Sequence, residues 1–273
     1  TVSIKLAKKH YVFASYNKNK PVNLKRNKNI EIHKIDISKN ITFERKFDVL
    51  VHCASLVPAL NSKKNLFNKI NYQGFKKLLT IAKKKNCKKI ILLSTMSVYG
   101  EIKSQKITEK EKFRNPDAYG VSKIKMENSL KRYCKSNNAS GLILRLPGLV
   151  GFKSKNNFLS NALNIIKKKK EIIINNPNLK FNNLVHVENL AEIINLSLKK
   201  KFKFEIYNLA CKNPLRFEDI FKLIFKKLKI KKNIKINKKD GGFSIKLNKN
   251  LKKRYKLYST KYAVQKFVSE NLN

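Results

Sequence analysis

Short apolar runs alternate with longer segments of helical periodicity through the first half of the chain. This alternation is typical of βαβ units, in which helices connect the parallel strands of one sheet. Lys89–Ser94 is almost continuously apolar, as expected for a strand that is covered on both faces. The pattern therefore predicts an α/β fold with a parallel sheet. The predicted strands are Tyr11–Tyr16, Ile30–Ile35, Asp48–Cys53, Lys89–Ser94 and Leu142–Leu146.

Helical periodicity is clearest between the third and fourth of these strands. The segment Lys64–Lys85 carries Leu66, Ile70, Leu78 and Ala82 near one face of a helix. After residue 151 the pattern becomes less regular, and the lysine-rich tail that begins at residue 229 is left without elements. The other predicted segments are helices over Asp117–Lys135, Phe158–Lys169, Glu188–Leu198 and Arg216–Leu228, strands over Glu171–Ile174 and Glu205–Leu209, and a loop over Glu101–Asn115.

The chain carries a net charge of +46, from 63 lysines and arginines against 17 acidic residues. Such a charge raises the possibility of a nucleic-acid partner or an anionic membrane surface. Only seven of the basic residues are arginine, whose planar guanidinium group suits phosphate, and the lysines are scattered along the chain. Lysine, asparagine and isoleucine have AT-rich codons, so genome bias explains the composition. No specific nucleic-acid partner is expected.

The sequence also argues against a membrane protein and against a cysteine-based metal or redox site. No apolar stretch reaches the roughly 18 residues of a membrane span. The cysteines Cys53, Cys87, Cys134 and Cys211 are far apart and form no metal-type or redox-type pair. Each is interpreted as a packing residue, and the chain as a protein of the reduced cytoplasm.

Tyr119 and Lys123 are the first candidates for chemistry. Residues four apart lie one above the other on a helix face. An unperturbed tyrosine has a pKa of about 10, too high for acid or base work near neutrality. A neighbouring ammonium is expected to lower that pKa. The spacing alone is weak evidence, because tyrosine and lysine four apart arise easily by chance on a lysine-rich helix.

Hydroxyl groups follow the fourth predicted strand directly. Ligands of open α/β sheets bind beyond the carboxyl ends of the strands. Thr95 and Ser97 are therefore candidates to hold a substrate hydroxyl or carbonyl beside the hydroxyl of Tyr119. Ordinary turn chemistry at a strand end is the alternative interpretation.

Several motifs, in their order and spacing, resemble the extended short-chain dehydrogenase/reductases, also called the NAD-dependent epimerase/dehydratase family. The resemblance runs from about residue 11 to residue 217. It is far more specific than any single motif. The segments that carry it are Asp48–Ser55 (DVLVHCAS), Asn71–Gly74 (NYQG), Ser94–Gly100 (STMSVYG), Pro116–Lys123 (PDAYGVSK), Arg145–Gly151 (RLPGLVG), Leu184–Ala191 (LVHVENLA) and Tyr207–Leu209 (YNL).

The resemblance implies a fold, a reaction and a catalytic group. It implies a Rossmann-like, doubly wound parallel sheet that binds NAD(P) over residues 1–151. Residues 152–273 would form mainly a smaller, mixed α/β substrate-binding part, with some segments returning to the Rossmann-like domain. Tyr119 would be the acid/base of a hydride transfer. Lys123 would bind the nicotinamide ribose and lower the pKa of Tyr119, and Thr95 would be the catalytic hydroxyl residue.

The resemblance also implies binding residues and a substrate class, a nucleotide sugar or a related small molecule. Family members often bind the substrate diphosphate through an arginine that precedes the Leu184–Ala191 segment; Asn182 and Asn183 stand there in this chain. A homodimer through flanking helices, including the Tyr119 helix, is a further implication. The expected cofactor-binding residues are Asp36, Ala54, Ser55, Asn71, Tyr119, Lys123 and Pro147, with a structural role near the cofactor favoured for Asn71; the expected substrate-binding residues are Thr95, Ser97 and Asn182.

Two departures from the family pattern limit these expectations. The dehydratase branch has an Asp–Glu pair after the catalytic threonine, where this chain has Met96 and Ser97. Epimerase or reductase chemistry is therefore expected in place of 4,6-dehydration. The family's glycine-rich loop, which brings a pyrophosphate to a helix N-terminus, is absent. Thr1–Lys9 resembles the helix that follows that loop, so the first strand and the loop are expected to be missing from the sequence.

Cofactor choice and the consequence of the missing loop stay open. A carboxylate at the end of the second family strand favours NAD. Ser15–Lys18 has none, which leans weakly towards NADP. The main alternative to an enzyme is a non-catalytic Rossmann-like binding protein, or a truncated fragment, that has lost cofactor binding.

Overall fold

The computed structural model of the protein describes residues 1–58, 63–231, 233–237 and 242–272. The chain forms two compact units. Unit 1 comprises Thr1–Glu101, Lys112–Arg145 and Ala191–Tyr207. Unit 2 comprises Ile102–Glu111, Leu146–Leu190 and Asn208–Asn273.

Strands and helices alternate along both units. The strands are β1 (Val12–Tyr16), β2 (Ile30–Lys34), β3 (Val49–His52), β4 (Lys89–Thr95), β5 (Lys106–Ile107), β6 (Ser140–Leu146), β7 (Gly148–Val150), β8 (Ile172–Asn175), β9 (Lys180–Phe181), β10 (Leu184–His186), β11 (Phe204–Asn208), β12 (Leu215–Arg216), β13 (Ile234–Asn237) and β14 (Ser244–Ile245). The α-helices are α1 (Val2–Ala7), α2 (Lys64–Leu66), α3 (Gly74–Lys84), α4 (Ala118–Ser136), α5 (Phe158–Lys167), α6 (Val187–Lys199), α7 (Phe217–Leu228), α8 (Lys249–Arg254) and α9 (Thr260–Glu270).

The main sheet of unit 1 has the strand order β11-β6-β4-β3. β3 and β4 are parallel, with Val49 opposite Lys89 and His52 opposite Leu92. Consecutive parallel strands need a crossover, and the helical segment between them supplies it. The predicted strands of the first half are all present, with ends that differ from the predictions by a residue or two.

A second parallel pair, β1 and β2, forms a separate sheet. Among the described residues no ladder joins β1 to β3, so each has a free edge. The apolar side chains of β3 are only half-buried, whereas those of β4 and β6 are buried.

The core of unit 1 lies between the main sheet and two helices. Phe75 and Leu79 from α3 pack with Met126 from α4 against Ile90 and Ile143 of the sheet. These side chains are spaced along both helices as an amphipathic face requires. The predicted helix Lys64–Lys85 is present in three parts, because a π-helical segment, residues 67–73, separates α2 from α3. Such widened turns occur frequently at functional sites.

Unit 2 has its own core, built from three helices and several short strand pairs. Leu163 of α5, Phe221 of α7 and Phe267 of α9 belong to one buried cluster. The pairs β7–β10, β8–β13 and β5–β14 are parallel, and β9–β12 is antiparallel. β5 lies inside the predicted loop Glu101–Asn115, so that prediction was wrong at two residues. A two-residue strand is too short to show a period.

Several lysines stabilise the ends of helices and turns. The Nζ of Lys89 donates hydrogen bonds to the carbonyl oxygens of Ser197 (3.2 Å), Leu198 (2.6 Å) and Lys200 (3.0 Å) at the C-terminal end of α6. A cation is favourable there because the last carbonyls of a helix lack partners and carry partial negative charge. Part of the positive charge therefore has a structural use. No helix in the described ranges is both long and apolar enough to cross a membrane.

Helix α4 begins at a polar cap. The Oδ1 of Asp117 accepts a hydrogen bond from the backbone N–H of Gly120 at 2.7 Å. The cap fixes where the helix starts, and so which side chains share a face. Tyr119 lies in the first turn and Lys123 in the second.

We predict that Asp117→Ala lowers the free energy of unfolding by about 1 kcal/mol, because Gly120 N–H loses its partner. Urea unfolding followed by circular dichroism measures the change. Asp117→Asn keeps a side-chain acceptor and is the matched control. Equal losses in the two variants would contradict the capping role.

Candidate active site

Three elements of unit 1 converge on the Tyr119 hydroxyl. Thr95 ends β4, Ser55 follows β3, and Tyr119 stands in the first turn of α4. The side chains of Ser55 and Thr95 lie beside the Tyr119 hydroxyl, where hydrogen bonding to them favours the phenolate. The ring of Phe67 meets the Tyr119 ring edge-on, with the centroids 5.7 Å apart. The structure thus brings Thr95 beside Tyr119.

The turn after β4 holds the Thr95 hydroxyl in place. Thr95 Oγ1 accepts a hydrogen bond from the Ser97 backbone N–H and donates one to Ser97 Oγ, both at 3.2 Å. Gly120 lets α4 approach this turn closely, since a Cβ there would collide with the Ser97 carbonyl oxygen. Ser97 therefore contributes to the site at least by orienting Thr95.

Lys123 is almost completely buried, with 2% of its surface exposed. Its Nζ donates a hydrogen bond to the carbonyl oxygen of Leu93 at 3.0 Å and lies 5.8 Å from the centroid of the Tyr119 ring. The ammonium therefore lies beneath the tyrosine, between α4 and the end of β4.

The pKa of Tyr119 is shifted in the direction opposite to the expected one. Burial raises it above its ordinary value, and the hydrogen bonds from Ser55 and Thr95 offset that effect only in part. Loss of solvent around the phenolate is the largest effect on this pKa. That Lys123 lowers the Tyr119 pKa stays a prediction.

Burial has the corresponding effect on Lys123. It lowers the pKa of Lys123 to about 8, and the neighbouring Cys53 and Glu127 oppose that shift. An ammonium with such a pKa can lose its proton in the weakly alkaline range, which an exposed lysine does not.

The segment after β3 forms an accessible strip beside this group. Ala54 is exposed and Ser55 half-buried. Asn71 fixes the strip: its Oδ1 accepts from the Leu56 N–H at 2.7 Å, and its Nδ2 donates to the Leu56 carbonyl at 3.0 Å. Asn71 is fully buried. In the fold, Asn71 holds the strip in place.

A separate cavity lies at the carboxyl ends of β1 and β2. It measures about 580 Å³ and is lined by residues of both strand ends, among them Lys18, Asp36 and Lys39. Asp36 Oδ1 accepts hydrogen bonds from the backbone N–H (2.9 Å) and hydroxyl (2.7 Å) of Ser38, which lower the Asp36 pKa. Asp36 therefore presents a carboxylate at the position where the family resemblance expects the adenine end of a cofactor.

In unit 2, Asn182 is engaged by the fold itself. Its Nδ2 donates to the carbonyl oxygens of Cys211 (3.0 Å) and Ile245 (2.9 Å), and its Oδ1 accepts from the Ile245 N–H at 2.9 Å. Only 1% of Asn182 is exposed. Both amide hydrogens are used, so the geometry favours a structural role over the expected substrate contact. Pro147, half-buried, connects β6 to β7.

One polar group near the site was not singled out from the sequence. Glu127 lies one helical turn after Lys123 and is 5% exposed. Its spacing from Tyr119 and Lys123 was the available signal, since residues four apart share a helix face. A glutamate in a helix of mixed polarity gives no other sign of burial. Over the described parts of the chain, no three His, Cys, Asp or Glu side chains are grouped so that they could hold a metal ion.

Most of the chain matches the model of one known protein family. A family model described as "NAD dependent epimerase/dehydratase family" matches residues 2–210. A dTDP-D-glucose 4,6-dehydratase of Dictyostelium discoideum is 24% identical over 203 residues, which are 69% of this chain and 47% of the relative. The chain thus spans about half the length of that curated relative.

Solved structures resemble the chain in fold over nearly its whole length, as two of them illustrate. A UDP-N-acetylglucosamine 4-epimerase from Methanobrevibacter ruminantium M1, in complex with UDP-N-acetylmuramic acid, has a TM-score of 0.81 and 21% identity, covering 99% of this chain and 93% of its own. A UDP-glucuronic acid 4-epimerase from Bacillus cereus, in complex with NAD, has a TM-score of 0.81 and 18% identity, covering 99% and 91%. The expected Rossmann-like α/β fold is confirmed.

We predict a pH-dependent effect of Lys123→Met on stability. Below pH 8 the buried ammonium costs the folded state up to about 3 kcal/mol, from the lowering of its pKa from 10.5 to about 8. As the pH rises from 8 towards 10.5, only the unfolded state keeps the proton, so the cost disappears. Lys123→Met should therefore unfold at higher urea concentration than wild type at pH 7, and the advantage should shrink by pH 10.

Lys131→Met, at an exposed position on the same helix, is the matched control. It should show no such pH-dependent advantage. An advantage of Lys123→Met that is constant from pH 7 to pH 10 would contradict the buried charge.

Proposed function

Because this chain belongs to the NAD dependent epimerase/dehydratase family, we propose that it is an NAD(P)-dependent epimerase or reductase for a nucleotide-sugar-type substrate. The family and its solved relatives support a nucleotide-sugar epimerase/dehydratase function. The geometry of the site supports the finer proposal. Ser55 and Thr95 lie beside the Tyr119 hydroxyl, and the buried Lys123 ammonium faces the Tyr119 ring.

Tyr119 is the acid/base of the proposed reaction. A bound nicotinamide ring supplies the acceptor or donor of hydride. Since burial raises the Tyr119 pKa, the phenol is protonated near neutrality and can donate its proton to a developing alkoxide oxygen. In the opposite direction Tyr119 first gives up its own proton to solvent, and its phenolate oxygen Oη then takes the proton of the substrate hydroxyl. Thr95 Oγ1 lies beside the Tyr119 hydroxyl and orients the substrate hydroxyl in the proposed reaction.

Lys123 supports the phenol from below. Its ammonium stabilises negative charge that develops on Tyr119 during proton transfer, because the buried setting strengthens the interaction between the two groups. The Leu93 carbonyl fixes one donor of Lys123 and leaves the ammonium other donors for a cofactor ribose hydroxyl.

The cavity at the ends of β1 and β2 fits the adenosine end of a dinucleotide. Its volume of about 580 Å³ lies in the ordinary range of ligand pockets. Lys18, Lys34 and Lys39 line it together with Asp36. Three ammonium groups suit an additional phosphate, so the proposal favours NADP over NAD.

The reaction class is epimerisation or simple reduction. Met96 and Ser97 lie where elimination needs a carboxyl pair, and neither can act as that acid and base. Identity of 24% to a 4,6-dehydratase does not carry that enzyme's elimination step to this chain. The free thiols of all four cysteines support a reducing, cytoplasmic setting. The proposal also includes a homodimer that forms through α4.

The alternative is a Rossmann-like binding protein without catalysis. Titration with NADPH and NADH separates the two functions, and a protein that binds neither dinucleotide would contradict the enzyme proposal.

We predict that Tyr119→Phe abolishes turnover, lowering kcat by at least about 100-fold, while the affinity for cofactor and substrate changes little. Steady-state kinetics and equilibrium binding measure the two quantities. Tyr133→Phe is the matched control on the same helix, since the Tyr133 hydroxyl binds the Cys87 carbonyl at 3.0 Å and lies outside the site. Activity in Tyr119→Phe close to wild type would eliminate Tyr119 as the acid/base.

We predict that NADPH binds about tenfold more tightly than NADH, because each charge-assisted phosphate contact contributes on the order of 1 kcal/mol. In the double variant Lys18→Ala/Lys39→Ala the preference should fall, with NADH affinity less affected. Lys131→Ala serves as the control for the loss of a distant charge. Tighter binding of NADH by wild type would rule out the assignment of NADP.

A further inference from the structure

Behind the Tyr119–Lys123 face of α4 lies a buried ion pair. Arg145 of β6 donates to Glu127 through Nε at 3.0 Å and through a terminal nitrogen at 2.7 Å. The two residues are 4% and 5% exposed. Two hydrogen bonds from one guanidinium fix both the distance and the orientation of the carboxylate.

The same pair binds the strand end and the turn that carry the site. Ser94 Oγ donates to Glu127 Oε1 at 2.5 Å, and the other terminal nitrogen of Arg145 donates to the Tyr99 hydroxyl at 2.7 Å. Ser94 immediately precedes Thr95, and Tyr99 ends the short helical turn that Thr95 caps. One carboxylate therefore connects α4, β4 and β6 at the level of Thr95.

Glu127 also faces the Lys123 charge. Groups from three elements surround the Lys123 ammonium. His52 and Cys53 come from the end of β3, and the Leu93 carbonyl comes from β4. Tyr119 and Glu127 lie on the same helix as Lys123. Among these groups Glu127 is the carboxylate. His52 is held neutral near pH 7, because burial lowers its pKa to about 3. Cys53 and Glu127 both oppose the fall of the Lys123 pKa. Burial raises the Cys53 pKa to about 11, so near pH 7 Glu127 is the one of the two that carries a negative charge.

Resting on the proposed function, we propose that Glu127 is a positioning residue for the catalytic group. Its carboxylate, bound by Ser94 and Arg145, sets the distance between the α4 face with Tyr119 and Lys123 and the strand end with Thr95. The same carboxylate provides a fixed negative charge for the Lys123 ammonium.

Stability alone does not account for this arrangement. Burying two charges costs desolvation energy that their attraction barely repays, and apolar residues of similar size are often equally stabilising. A hydrogen-bonded pair does what an apolar contact cannot, since it fixes direction and charge at one point. The pair lies against the residues whose geometry the proposed reaction depends on.

The first test needs no cofactor. The stability difference between wild type and Lys123→Met, followed from pH 6 to pH 10, reports where Lys123 releases its proton in the folded state. The same comparison is made between Glu127→Gln and Glu127→Gln/Lys123→Met. Without the carboxylate, the pH at which the difference begins to fall should move down by about one unit. If the stability difference begins to fall at the same pH with and without the carboxylate, the electrostatic role of Glu127 is overturned.

Two further variants separate positioning from general stability. Met126→Ala removes a buried side chain next to Glu127 and should destabilise the protein without moving the onset. If Glu127→Gln fails to fold because Arg145 is left unpaired, Glu127→Gln/Arg145→Met removes both charges. That double variant should fold again. In it, the stability difference made by Lys123→Met should still begin to fall at a lower pH than in wild type. A shift of the same size in Met126→Ala overturns the specific role of Glu127.

The second test addresses geometry through turnover. Glu127→Gln should lower kcat about tenfold with KM changed less than about twofold, because misplaced Thr95 and Tyr119 affect the chemical step more than binding. A loss confined to KM overturns the positioning role. If wild type shows no turnover, the proposed function fails, whereas the cofactor-free measurement still decides the electrostatic role of Glu127.

Discussion

The burial of the Lys123 ammonium is the constraint that organises the candidate site. A charge in that position requires a hydrogen-bond acceptor, a counter-charge and tight walls, and each comes from a different element. Leu93 at the end of β4 supplies the carbonyl, and Glu127 one helical turn away supplies the carboxylate. Because α4 must lie close to the strand ends for these contacts to form, Tyr119 is brought against Thr95 by the same packing.

The two titratable groups of the site respond to burial in opposite directions. The pKa of Tyr119 rises and that of Lys123 falls, so both groups move towards their neutral forms. Ser55 and Thr95 partly offset the rise at Tyr119, which keeps proton transfer from that phenol accessible.

The sequence predicted those features that depend on local pattern. The strands of unit 1 show as short apolar runs, and Tyr119 and Lys123 lie on one helix, as the helical pattern over Asp117–Lys135 predicted. What it could not predict depends on distant parts of the chain. Asn182 is saturated by Cys211 and Ile245, and β5 exists only through pairing with β14. The rise of the Tyr119 pKa follows from three-dimensional burial, which spacing along a helix does not reveal.

Hydride transfer at the Tyr119 site is the central claim, and isotope transfer tests it most directly. The protein is loaded with oxidised cofactor and given a sugar nucleotide that carries deuterium on the carbon of the reacting hydroxyl. Turnover is quenched rapidly, while part of the cofactor is in its reduced form, and mass spectrometry of that reduced cofactor reports the label. Deuterium in the nicotinamide ring is the result that the proposed chemistry predicts. Bound cofactor that stays unlabelled, with a substrate shown to occupy the protein, would contradict it.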